Sequence, residues 1–410
     1  MRRRGDGLSG RPLMARSRPA IPAGVWTLGF VSLFTDLGSE LVHSLLPVLL
    51  AGTLGASALV IGLLEGAAEA LPLITRVFSG YLSDAVGRRK PLVLLGYGLA
   101  ALSKPLFPLA GTVSTVAIAR LSDRLGKGIR GAPRDALVNE LAPAAVRGAS
   151  FGLRQSMDTV GAVAGPLAAI GLMAVFAGDI RTVLWFAVLP GLVSVALIIF
   201  FVREPEGGRR PARLPLSRAG IARLGRPYWR AVVAGTFLSL ARFSEAFLIL
   251  RASERGLSNT LVPLVLVVMS LAYTVTAYPA GRLSDRIPRR SVLAWGIAAL
   301  IAADTVLALA PGPAAVLAGV ALWGVHLGFS QGILASLVGD LAPAEHVGTA
   351  FGLLNFASGV ALLVASAVAG GLWDGLGPAA TFVAGGVTAL VALAFIPLLP
   401  ARPAAVAKPR

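Results

Sequence analysis

Apolar residues in this chain come in blocks of about 20, and a block of that length is what one helix needs to cross roughly 30 Å of hydrocarbon. Twelve blocks can be marked: 24–50, 58–82, 91–110, 113–132, 149–176, 181–202, 229–250, 258–281, 291–310, 314–338, 348–371 and 378–400. Such a chain lacks the polar surface to stay in water. Only 14% of its residues are charged against 56% hydrophobic, whereas a soluble domain carries about 25% charged residues. The pattern therefore predicts an all-α membrane protein. With no cysteine in the chain, disulfides, thiol catalysis and Cys-based metal sites are excluded. No phosphate loop, nucleophile elbow or HExxH helix occurs, so enzymatic function has no support and no cofactor is expected.

The net charge of +17 could suggest nucleic acid. The arginines, however, cluster in short stretches between apolar blocks with little aromatic interleaving, and so read as topology signals. Residues 1–23 form a basic tail (Arg2, Arg3, Arg4, Arg11, Arg16, Arg18) without a cleavage site. Residues 203–228 form an arginine-rich linker between two six-span halves, 24–202 and 229–400, and a short tail covers 401–410. Lys and Arg also fill the 2–3 loop (Arg88, Arg89, Lys90), the 4–5 region (Arg130, Arg134, Arg147) and the 8–9 loop (Arg286, Arg289, Arg290). The 1–2, 3–4, 9–10 and 11–12 loops have none. The positive-inside rule then places both termini in the cytoplasm.

The halves repeat. GYLSDAVGRR at Gly80 recurs as GRLSDRIPRR at Gly281, and ELAPAAVRGASFGL from Glu140 recurs as DLAPAEHVGTAFGL from Asp340, at offsets of 201 and 200 residues. Parallel duplication of this kind implies a pseudo-twofold axis along the membrane normal and a central cavity between the halves.

The 2–3 loop, Gly80-Tyr-Leu-Ser-Asp84-Ala-Val-Gly87-Arg88-Arg89-Lys90, resembles the G-x-L-x-D-R-x-G-R-R/K signature of the major facilitator superfamily (MFS). It departs at Ala85, where that family usually has Arg; the second copy keeps Asp285-Arg286 but has Pro288 in place of Gly, followed by Arg289. Over essentially the whole chain the resemblance implies twelve helices in two pseudo-symmetric six-helix bundles that give alternating access to a central site. The carboxylate of Asp84 can cap a neighbouring helix and pair with Arg88 or Arg89, which would make Gly80, Asp84, Gly87, Arg88 and Arg89, with Gly281, Asp285, Arg286 and Arg289, a conformational latch between the bundles. Span 5 carries Gly161-Ala-Val-Ala-Gly165-Pro166, similar to the G-x-x-x-G-P motif of the antiporter branch. Gly161 and Gly165 share a helix face and permit close approach, while Pro166 weakens the backbone ladder and allows a hinge.

Ionisable groups inside spans cost about 2.5–3.5 kcal/mol each on insertion scales, so their retention points to function. The first half is crowded with them: Asp36, Glu40 and His43 on one stripe of span 1, Glu65, Glu69 and Arg76 on span 2, Arg120, Asp123, Arg124 and Lys127 on span 4, and Arg154 and Asp158 on span 5. The second half offers only Arg242, Glu245, Asp304, His326 and Gln331, with Trp295, Trp323 and Phe329 as candidates for an apolar wall. Proton coupling needs a carboxylate whose proton affinity changes between two access states. A span 1 acid alternating between Arg120 or Arg124 and a proton satisfies this, and Arg154–Asp158 reads as a fixed pair. Glu65, Glu69 and His43 are alternatively candidates for a divalent-cation site.

The expected function is proton-driven efflux of a small organic molecule by a monomer in the plasma membrane, with lipid, substrate and protons as partners and no nucleic acid. An importer or a divalent metal-ion transporter on the same fold is the alternative. A non-transporting sensor or assembly factor would be expected to add a soluble domain.

Overall fold

The computed structural model describes residues 20–204 and 221–400. The basic N-terminal tail, most of the linker (Arg209, Arg210, Arg213 and Arg218 among it) and the 401–410 tail lie outside the described residues. Those described form helices and no strand.

Among the described residues, ten helices are long and apolar enough to cross a membrane: α1 (Ala23–Thr53), α2 (Ala58–Val86), α3 (Lys90–Leu109), α5 (Ala144–Val175), α6 (Ile180–Phe201), α9 (Leu264–Ser284), α10 (Arg289–Leu309), α11 (Pro313–Leu341), α12 (Val347–Leu376) and α13 (Pro378–Leu398). Two further rods accompany them. Helix α4 (Val113–Leu141) matches the others in length but carries many charges. It runs past the expected end at 132, so Arg130 and Arg134 sit on a helix rather than in a connecting loop. The second rod was expected to be continuous over 229–250. It is broken into α7 (Arg226–Leu240) and α8 (Ala246–Glu254), with 241–245 unwound between them.

Pairing within the halves follows the duplication. In the first, α4 packs on α2 and α3 while α1 packs on α5 and α6; in the second, α11 packs on α9 and α10 while α12 and α13 flank α7. The halves meet through α2 on α12, α5 on α9 and α1 on α8. Glycines set the α2–α12 seam. A Cβ on Gly62 would reach the Ser366 carbonyl at 2.1 Å, and one on Gly370 would reach that of Ala58 at 2.3 Å, so only glycine allows this backbone approach. At the same end the Asp374 carboxylate accepts the Ala58 and Leu59 amides (3.0 and 2.8 Å), capping α2 from the other half. At the opposite end, where the two signature loops lie, the halves part. A cavity of about 400 Å³ opens there between Arg76, Gly80, Tyr81 and Asp84 on α2 and Gly348, Phe351 and Gly352 on α12.

Candidate functional site

The acid stripe of α1 is held in place by α5. A Cβ on Gly161 would lie 2.5 Å from the Leu33 carbonyl and 3.2 Å from the Asp36 Cβ; one on Gly165 would lie 2.6 Å from the Leu37 carbonyl and 3.0 Å from the Glu40 Cβ. The two glycines therefore press α5 onto the backbone that carries Asp36 and Glu40. Helix α5 continues through Pro166.

From that stripe a chain of charges runs into the first half. His43 places Nδ1 3.2 Å from Glu40 Oε2 and Nε2 3.8 Å from Glu65 Oε2. Glu65 accepts a two-pronged bond from Arg120 (Nε 3.0 Å, Nη2 2.6 Å), both partners fully buried. One turn along α4, Arg124 lies 3.9 Å from Glu69 and 4.0 Å from Asp123. Asp123 is held by Lys104 of α3 at 2.9 Å, and Lys104 also donates to Ser39. Lys127 and Glu69 reach accessible space, with Lys127 exposed and the Glu69 side chain 39% so.

The structure thus assigns Arg120 to Glu65 of α2, whereas the sequence suggested a span 1 acid; Glu40 pairs with His43 instead. A divalent-cation site at Glu65, Glu69 and His43 does not form either. Both Glu65 oxygens are engaged by Arg120, and no cluster of three His, Cys, Asp or Glu side chains suited to a metal occurs among the described residues.

Arg154 and Asp158 do pair, at 2.5 Å, but within a larger network. Asp135 receives Arg76 at 2.6 Å and Arg134 at 3.3 Å and lies 3.9 Å from Arg154, while Arg134 bonds Ser32 at 3.1 Å. Arg130 stacks over the Tyr97 ring at 4.5 Å. Lys104 and Asp135 are not among the charges singled out from the sequence, and Arg134 is there only as a topology signal. Lys104 was detectable, since it is a lone cation inside an apolar block. Arg134 and Asp135 were hidden by the premature end assigned to span 4.

In the second half, Arg242 and Glu245 stand on the unwound turn between α7 and α8. Glu245 is within electrostatic reach of His43, Glu69, Glu40 and Arg124 of the first half, and Arg242 of Glu69. The turn has neither Gly nor Pro and is fixed by its surroundings: Ser244 donates its amide to Ser366 Oγ at 3.0 Å, and Ala246 donates its own to Ser244 Oγ. Phe243 packs among Phe247, Trp323 and Phe382. Unwound backbone at this depth is tolerated where it lines a cavity. Trp323 belongs to this buried aromatic cluster, whereas Trp295 is exposed on the outer surface.

The signature loops bond within their own halves. Asp84 pairs with Arg89 at 2.7 Å, Arg89 also reaches Glu140 at 3.3 Å, and Arg88 is exposed. Glu204, not Asp84, caps α3, accepting the Arg89 and Lys90 amides at 2.5 and 2.7 Å. Gly87 ends α2 at φ 71°, a left-handed turn that glycine takes without strain. The second copy avoids that turn, entering α10 through Pro288 at φ −55°. Arg289 bonds Asp340, repeating Arg89–Glu140 at the 200-residue offset. Asp285 and Arg286 are exposed.

A family model described as Major Facilitator Superfamily matches residues 28–258 and 231–410. The chain belongs to this superfamily. An uncharacterized MFS-type transporter of Methanocaldococcus jannaschii is 30% identical over 90% of this chain and 92% of its own. Multidrug resistance protein MdtH of Yersinia pestis is 30% identical over 38% of each chain. Among solved structures, a POT family transporter in complex with a thioalcohol-conjugated peptide superposes with a TM-score of 0.76 at 14% identity, covering 92% of this chain and 96% of its own. The human organic anion transporter MFSD10 superposes with a TM-score of 0.64 at 18% identity, over 92% and 100%. This MFS protein is a multi-pass membrane protein and a secondary transporter of a small molecule, not an enzyme.

Proposed function

We propose that the protein is a proton-coupled exporter of a small organic molecule, a drug or metabolite, working by alternating access as a monomer in the plasma membrane. Twelve spans with both termini cytoplasmic put the parted end on the cytoplasmic side, so the state described here is open inward. Nucleic acid plays no part. The observation that carries this reading is the line of ionisable groups Glu40–His43–Glu65–Arg120 across α1, α2 and α4, hydrogen-bonded at its two ends and with His43 Nε2 3.8 Å from Glu65 between them. It runs from a half-buried acid to a fully buried pair, the arrangement in which a proton on one member changes the pairing of the rest.

Glu40 is the proton carrier in this scheme. Protonated, it releases His43; ionised, it holds it. Glu69 on one half and Arg242 and Glu245 on the other lie within electrostatic reach and, with Lys127 beside Glu69, supply polar contacts to the substrate. The Gly161–Gly165–Pro166 face keeps Glu40 against α5 as the bundle moves, and the Asp84 and Asp285 loops latch the cytoplasmic end when it closes. Export is favoured by the span 5 motif and by the partial likeness to MdtH.

Reconstitution in vesicles with an imposed pH gradient, followed by a screen of small organic compounds with a pH-sensitive dye inside, tests the proposal. At least one compound should move against a counterflow of protons, and Glu40→Gln should abolish that flux. If no compound moves protons and Glu40→Gln leaves transport unchanged, antiport is wrong.

A further inference from the structure

Away from the first-half network, α10 buries a carboxyl group that the proposed mechanism does not use. Asp304 is 1% exposed, and neither of its oxygens has a hydrogen-bond partner among the described residues. Charged groups on the elements packed around it are engaged elsewhere. On α11, His326 bonds the Gly296 carbonyl and Ser330, and Asp340 holds Arg289. On α8, Arg251 donates to the Leu307 and Ala308 carbonyls and to Glu254. On α9, Arg282 lies over the Tyr278 ring, and Tyr273 faces a cavity at the signature-loop end. Helix α13 has no charged residue. An ionised carboxylate left there without a cation costs several kcal/mol, so the form that fits is the neutral acid with its proton retained.

The site is built to hold that group. Consecutive glycines of α13 make room for it: a Cβ on Gly385 would come within 2.7 Å of Asp304 Oδ2, and one on Gly386 within 3.6 Å of its Cβ. The Phe243 ring fills the other side of the same gap, 2.9 Å from a Cβ at Gly385. Phe243 stands on the unwound turn, between Arg242 and Ser244. Gly385 and Phe243 also line a cavity of about 160 Å³ between α7, α12 and α13, together with Thr381 and Thr388. A shift of the turn that withdraws Phe243 therefore opens the carboxyl toward this cavity, whose wall is apolar apart from the Thr381 and Thr388 hydroxyls, and carries Arg242 with it.

We propose that Asp304 is a second proton-carrying site, lodged in the second half and gated by Phe243. In the closed arrangement the acid keeps its proton. When the turn shifts, the O–H bond breaks, the proton passes to water in the cavity, and the carboxylate left behind is compensated by the Arg242 guanidinium. The site shares Arg242 with the face between the halves but has no contact with Glu40, so Glu40→Gln leaves the acid intact.

Infrared difference spectroscopy of the full-length protein in liposomes, using H2O-to-D2O exchange as the probe, reads this directly. The wild type should show the carbonyl band of a protonated carboxylic acid at neutral pH, lost in Asp304→Asn and kept in Glu40→Gln. Its deuterium shift should develop slowly and become several-fold faster in Phe243→Ala. If Asp304→Asn folds poorly, Asp304→Leu supplies the same subtraction, because a neutral apolar side chain suits a site that holds a neutral acid. Spectra of both variants that retain the band show Asp304 to be ionised and overturn the proposal. A band that is lost on substitution but exchanges at the same rate in wild type and Phe243→Ala makes Asp304 a static packing group and overturns the gate.

Discussion

At the scale of single residues, the two glutamates on either side of His43 should behave differently. Glu65 is fully buried and matched atom for atom by Arg120. Glu65→Gln leaves a guanidinium uncompensated in low dielectric and should cost about 3–5 kcal/mol, seen as a large drop in thermal midpoint in detergent. Replacing both partners, Glu65→Gln with Arg120→Met, should recover part of that loss, because no orphaned charge remains. Glu40→Gln should barely move the midpoint, since Glu40 is part-exposed and makes one bond, to His43; its effect belongs to coupled proton flux. Most members of this cluster were legible in the sequence because a charge inside an apolar block stands out. Their pairing was not, because helical spacing fixes which face a side chain occupies but not which neighbouring helix faces it. Arg120 was therefore matched to span 1 when α2 lies nearer. Lys104, obeying the same rule as the rest, completes Asp123.

At the scale of elements, the small-residue faces determine where the charges sit. Gly165→Leu would drive side-chain atoms into the Leu37 carbonyl and the Glu40 Cβ. It should cost about 1–3 kcal/mol through overpacking and displace Glu40, lowering coupled flux along with the thermal midpoint. Gly171 lies on the same helix with nothing within 4 Å of its Cβ position, and Gly171→Ala should change neither. Helix α5 was readable from its motif. The break between α7 and α8 was not, since Ala241-Arg242-Phe243-Ser244-Glu245 contains no helix breaker and the unwinding depends on partners distant in sequence, Ser366 for the backbone and Trp323 and Phe382 for the ring. Ser366→Ala should accordingly leave the Ser244 amide unpaired at a cost of about 1–3 kcal/mol, read as a lower midpoint, whereas Ser366→Thr, which keeps the hydroxyl, should hold most of it.

At the scale of the whole molecule, the described state is closed at the Asp374 end and parted at the signature loops, and the contacts that set this balance differ in kind. The closed end depends on glycine contacts and on the Asp374 carboxylate bridging the halves; among the described residues, Asp84 and Arg289 of the signature loops bond within their own halves. The duplicated sequence made the two halves visible but not which end holds them together, because Asp374 has no motif around it. Removing its side chain leaves Ser57 as the N-cap of α2 but takes the acceptor from the Ala58 and Leu59 amides, a change worth about 0.5–2 kcal/mol. A bias of this size changes a two-state population ratio by about twofold to thirtyfold. The chain has no cysteine, so introduced pairs are unambiguous reporters. Spin labels at Leu59→Cys with Leu376→Cys report on the closed end, and labels at Tyr81→Cys with Gly352→Cys report on the parted one. In the wild-type background the first pair should give a short, narrow distance distribution and the second a long one. Asp374→Ala should add a longer component to the first pair and a shorter one to the second, in matching proportion, because rigid halves that open at one end must close at the other. Widening of the first pair without narrowing of the second would mean that Asp374 merely anchors the end of a helix and that the halves do not rock as units.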